Sequence, residues 1–198
     1  MDGEEIGLFN PSGILLDSVA YRKQHINVSY GRSPNITGSW NFFIKPTPEA
    51  PNGSDGILDT IPAEEVIFSV KGGFYHGALT VELHTSGATG DIIFTTDGSW
   101  PTVESLKYEA PIFLTQTTVL RARNFDTGKL PGRVRTQTYI LNDSTTLPVI
   151  SITAEPDDFF SGGYGIYVRG WNGIPGYCYE EPANWYRDWE RPVNFEYF

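Results

Sequence analysis

The stretch "IIFTTDGSWPT", residues 92–102, decides the fold. Read as a strand, Ile92–Thr96 sets Ile92, Phe94 and Thr96 on one face and Ile93 and Thr95 on the other, because successive side chains alternate across a sheet. Asp97-Gly98 follows, a strong turn pair: the carboxylate accepts bonds from nearby backbone N–H groups, and glycine supplies a positive φ. Pro101 then forbids further ladder bonds. The chain therefore turns between Thr96 and Thr102. Asp97 reads as a turn carboxylate. As a catalytic acid it would need a second titratable group in reach, and none lies nearby in sequence.

The same grammar repeats outward. Runs of four to nine residues rich in Val, Ile, Thr, Tyr and Phe, among them "EVIFSV", "LTVELHT", "TTVLRARNF", "VRTQTYIL" and "LPVISIT", are separated by Gly and Pro at short intervals. No 3.6-residue apolar stripe of helical length is present. Short strands with evenly spaced turn signals predict an all-β sandwich.

Composition shifts twice along the 198 residues. "KPTPEAPNGSDG", residues 45–56, concentrates turn formers and reads as a linker. "NDSTTLP", residues 142–148, is a shorter break. Beyond it aromatics reach 11 of the 35 residues from 164 to 198, against 14% overall, so the tail is a compositionally separate piece. The expected division is 1–52, 60–142 and 146–198.

A formal net charge of −10 argues against nucleic acid or anionic membrane as partners, since both need a basic footprint. No apolar run approaches the roughly 20 residues that span a bilayer, and the first residues lack a basic-then-apolar secretory pattern. Cys178 stands alone, so an internal disulfide is excluded. No metal or cofactor is expected, and no Asp-x-Asp-x-Asp-Gly calcium loop occurs.

Residues 72–141 resemble the small Ig- or fibronectin-III-like module that follows the catalytic domain of chitobiases and β-hexosaminidases. The resemblance rests on Phe94-Thr95-Thr96-Asp97-Gly98-Ser99-Trp100-Pro101-Thr102, on Ser105, Tyr108, Pro111 and Ile112, on Thr118 to Phe125, and on the closing "TQTYIL". It implies an Ig-like β-sandwich without catalytic residues, with additional β segments at both ends. The first piece resembles the second half of a lamin-tail domain, on Asn10-Pro11-Ser12-Gly13, Asp17-Ser18-Val19, Tyr21, Ser29-Tyr30-Gly31-Arg32, Trp40 and Pro46-Thr47-Pro48. Fifty residues cannot easily build a two-sheet core alone, so this piece is expected to pack on the sandwich or be completed by another molecule. Arg32 is expected to brace its own turn, with carboxylate or phosphate binding as the alternative.

The last piece resembles the opening of the spore-coat CotH family of kinase-like phosphotransferases. "LPVISI" and "GIYVRG" are its expected strands, "EPDDFF" a turn, and "ANWYRDWERPVNFEYF" spans the next strand. The metal-binding acidic residues implied by that resemblance would lie beyond Phe198, so no catalytic residue is assigned. Gly163 and Gly165 before Val168 suggest a nucleotide loop, but a third glycine and a following lysine are missing; a plain glycine turn is the simpler reading.

The functional expectation is a non-catalytic segment of a secreted or cell-surface bacterial protein, a localisation implied by the resemblances. It would act in spacing, adhesion or presentation of a downstream CotH-like domain, or as a non-catalytic part of an atypical protein kinase. The alternative is a carbohydrate-binding module using Trp100, Trp171, Trp185 and Trp189. Trp100, expected to be exposed beside its turn, either packs over that turn or stacks on a sugar ring. The tail aromatics, Tyr164, Tyr167, Tyr177, Tyr179 and Tyr186 among them, form either a polysaccharide platform or the core of a larger domain. Expected partners are a polysaccharide or a cell-surface protein, with self-association through the apolar ends.

Overall fold

The computed structural model describes residues 3–21, 24–25, 28–33, 38–54, 56–57, 62–87, 89–177 and 181–198. Cys178, Tyr179 and Glu180 of the tail lie outside these. The chain forms two units. One runs to Pro62 and takes in Asp126–Pro131; the other comprises Ala63–Phe125 and Gly132–Phe198.

In the first unit, β1 (Glu4–Phe9) and β2 (Leu15–Tyr21) form an antiparallel hairpin, and β3 (Ser29–Ser33) pairs with β4 (Ser39–Phe43) in a second. The loop between β1 and β2 closes as an Asx turn, with Asn10 Oδ1 accepting from Ser12 and Ile14 N–H. Val28, Phe42, Ile57 and Leu130 make a small core, flanked by Tyr30 and Ile44. Arg32 grips Asp17 through both terminal nitrogens, at 3.1 and 2.6 Å, and lies over the Trp40 ring. It braces β2 against β3 rather than its own turn. The stretch read as a linker is bonded back onto these strands: Asn52 Nδ2 donates to Arg32 O, and Gly53 O accepts from the Ser33 hydroxyl.

The second unit is built around β12. Its layers are β5 (Ile67–Phe68), β6 (Gly73–Tyr75), β7 (Leu79–Val81), β8 (Leu83–His84), β9 (Asp91–Thr95), β10 (Leu106–Lys107), β11 (Ile112–Leu114), β12 (Thr118–Phe125) and β13 (Arg135–Leu141). One sheet has the order β10-β9-β12-β13-β6, antiparallel except for the parallel β13–β6 edge. The facing layer is made by β5–β8 and β7–β11. "LTVELHT" thus splits in two, with Glu82 between the strands donating its N–H to Ser69 Oγ.

Alternation explains the core. Leu120, Ala122, Tyr139 and Leu141 point inward from the large sheet, and Val66, Val81, Leu83 and Leu114 meet them from the facing layer. Tyr139 is fully buried, and its hydroxyl donates to Val70 O at 2.8 Å, so the one polar atom it brings inside is satisfied. The fold is an all-β sandwich. The strand of the opening stretch runs Asp91–Thr95, one residue earlier than Ile92–Thr96: Asp91 already pairs with Phe125, and past Thr95 the chain enters the turn, where Thr95 Oγ1 bonds Ser99 O.

The outer face of the large sheet is covered as well. Here β14 (Ile150–Thr153) pairs with β15 (Asn194–Tyr197). This two-stranded ribbon meets β13 through polar side chains: Glu196 accepts from both the N–H and the hydroxyl of Thr138, whose oxygen also lies 2.7 Å from Ser151 Oγ. Its apolar residues, Ile150, Ile152, Phe195 and Tyr197, remain exposed.

Two expectations for the tail need correction. "EPDDFF" is a one-turn helix, α1 (Pro156–Phe160), not a turn. Proline at its start is pre-set for helix and Asp157 and Asp158 suit a helix N-terminus, but five residues are too few to show periodicity. "GIYVRG" forms no strand. Ile166 and Tyr167 N–H donate to Asp158 and Phe159 carbonyls of α1, leaving no ladder to join. The following segment carries a 3-10 turn at Asn184–Tyr186 before β15.

Candidate functional site

The turn after β9 is assembled from its own side chains. Asp97 Oδ1 accepts from the Ser99 N–H at 3.0 Å and the Ser99 hydroxyl at 2.6 Å. Gly98 takes φ 86°, where a side chain would be strained. The Ser99 hydroxyl, then its N–H, hold the Asp97 carboxyl below its ordinary range, with help from the Arg121 charge. A general acid at neutral pH needs the opposite shift. Asp97 is an exposed structural carboxylate.

Trp100 is half-buried rather than exposed. Its backbone N–H donates to Glu155 Oε2 at 2.7 Å, just before α1, and its ring lies 4.5 Å from the Arg121 guanidinium carbon. Strand alternation explains Arg121: Leu120 and Ala122 face the core, so Arg121 and Arg123 must emerge on the outer face. Both are nonetheless buried, Arg121 beneath the turn that holds Gly98 and Trp100. Arg123 Nε donates to Gly132 O at 2.6 Å, and burial pushes the group down to about 10. Arg121 Nη1 donates to Gly98 O at 2.6 Å. Burial pushes it down too, partly offset by the Glu155 and Asp97 carboxylates.

Beside Trp100 and Arg121 opens a groove of about 450 Å³, lined further by Arg133 to Thr136 and by Pro192 to Asn194. Sequence reasoning did not single out Arg121, Arg133, Arg135 or Asn194. The alternation within "TVLRARNF" was the available signal for Arg121. Arg133 and Arg135 come beside it through the pairing of β12 with β13, and Asn194 through the return of β15.

The remaining tryptophans stand apart. Trp171 lies over Gly162 and Gly163 and is 79% exposed. Trp185 is 49% exposed and meets Tyr186 edge-on. Trp189 lies beside both Arg187 and Arg191. Among the described residues, no ring contact joins any two of the four tryptophans.

The glycine-rich turn serves its own chain. Asn184, fully buried, donates through Nδ2 to the carbonyls of Gly162 and Gly165. A Cβ on Gly165 would sit 2.5 Å from Ser161 N, and one on Gly170 would strike the Asn184 amide. These glycines answer to close backbone approach. Among the described residues no three His, Cys, Asp or Glu side chains gather as a metal site, and no helix is long and apolar enough to cross a membrane.

The family model of the chitobiase/β-hexosaminidase C-terminal domain matches residues 70–136, about a third of the chain. Those residues hold β6 to β12, the turn included, and the first two residues of β13, and the match makes this part of the chain similar to a non-catalytic Ig-like module of glycosidases. No curated protein and no solved structure matches the chain.

Proposed function

We propose that the chain is a presenting segment of a secreted or cell-surface bacterial protein, in which the Ig-like sandwich carries the aromatic-rich tail toward a CotH-like domain. The lamin-tail resemblance of the first piece belongs to the same proposal, as does the assignment of the catalytic part to residues beyond this chain. One observation carries it. The β14–β15 ribbon meets the sandwich with its polar face, through Thr138, Ser151 and Glu196, and turns its apolar face outward. A ribbon docked for stability alone would do the reverse, since burying apolar area is the stabilising term. A ribbon held this way suits a surface on which further structure is laid.

Limited proteolysis tests the clamp. Thr138→Val with Glu196→Gln is expected to expose residues 147–198 to cleavage while the sandwich survives intact. Equal resistance of variant and parent would remove the clamp from the account. Until that apolar face is covered, it also supports self-association. Sedimentation velocity should then find a mass that rises with concentration and returns to monomer in Ile152→Lys/Phe195→Lys. A constant mass in the parent chain would contradict this.

Saccharide binding is a second role, favoured by the groove beside Trp100 and its three arginines.

A further inference from the structure

We propose that this groove binds the oxyanion of an acidic saccharide, a carboxylate or sulfate carried on a sugar ring; the assignment rests on the saccharide reading and narrows it. Two buried donors in the groove wall have no hydrogen-bond partner among the described residues. Arg121 is 3% exposed, yet its Nε bonds nothing, and Asn194 Nδ2 is likewise buried and unbonded. Buried donors are nearly always satisfied, and leaving one orphaned is costly. Neither nitrogen is itself open to solvent, so the two mark spare donor capacity just behind the groove wall, which favours an acceptor-rich group at its surface.

The charge of the wall points the same way. Three guanidinium groups line the groove in a chain whose net charge is −10. Arg135 shares its charge with Glu65 at 3.1 Å, both half-exposed. Arg121 has Asp97 and Glu155 as charge neighbours. Arg133 is exposed and makes no ion pair among the described residues. Guanidinium is the side chain whose fork matches carboxylate and sulfate oxygens.

The rest of the lining selects a sugar over a bare ion. Trp100, Val134, Pro192 and Val193 set apolar surface beside the cations. A pyranose acid has that profile, with an apolar ring face and one charged substituent. The volume lies within the range of roughly 300–1,000 Å³ typical of small-ligand sites.

Calorimetry on the full chain at low salt distinguishes the sources. The probes are an oligogalacturonate, a sulfated galactan fragment, a neutral cello-oligosaccharide and polyglutamate. At least one acidic saccharide should bind, ten-fold or more tighter than the neutral one and than polyglutamate, and the two acidic arms identify the oxyanion. Arg133→Glu should weaken that binding at least ten-fold with an unchanged melting curve, because Arg133 is exposed and makes no ion pair among the described residues. Equal binding of the neutral saccharide would overturn the anion assignment while keeping the saccharide reading. Equal binding of polyglutamate, no binding of either acidic saccharide, or binding indifferent to Arg133→Glu would overturn the proposal.

Discussion

Asp97 is where a catalytic and an architectural reading diverge most sharply. Its carboxylate spends one oxygen on two donors of Ser99. Removing them in Asp97→Ala should cost about 1 kcal/mol, the usual net worth of exposed hydrogen bonding. Because folding depresses its pKa, the stabilisation is present above the unfolded value, about 3.9, and is lost as pH falls through the lower folded value. The gap in melting temperature between parent and Asp97→Ala should therefore be full at pH 6 and close below about pH 4. A gap that persisted in acid would place the effect elsewhere than in the charge. The turn role of Asp97 was legible from Asp-Gly followed by Pro101. The burial of Arg121 was not, because a charged residue on an outer strand face ordinarily meets water. Only the turn above it and the tail beyond it remove that water.

At the scale of elements, β12 is the member on which the sandwich depends. It pairs with β9 and β13 and drives Leu120, fully buried, into the core. Leu120→Ala should cost 2–5 kcal/mol, the range for emptying such a site, and denaturant titration measures it. Strands with clear alternation, such as β12 and β13, were legible to within a residue or two. The tail was legible only in part. "LPVISIT" and the closing "NFEYF" do hold β14 and β15, but the segment between them is fixed by Asn184 and its glycine neighbours. Contacts of 19 and 22 residues' separation leave no local pattern. Asn184→Ala should cost about 1–3 kcal/mol for the stranded carbonyls, and loosen residues 162–173 before the sandwich melts. Residue-resolved amide hydrogen exchange over that segment is the local readout.

For the molecule as a whole, the distribution of apolar residues carries the functional meaning. The sandwich core is closed around Leu120 and Tyr139. The β1–β2 hairpin and the β14–β15 ribbon each leave large apolar side chains in water, including Leu8, Leu16, Ile152 and Phe195. Composition announced the aromatic tail but not its orientation, since polar-face docking depends on Thr138 meeting Glu196 across 58 residues. The presenting role requires that this docking be part of the folded unit. Residue-resolved amide hydrogen exchange on the parent chain tests that most directly. The account predicts that Ile150–Thr153 and Asn194–Tyr197 exchange as slowly as Leu120–Asn124, opening with the sandwich in one cooperative step. Exchange of the ribbon several orders of magnitude faster than that of β12 would contradict it.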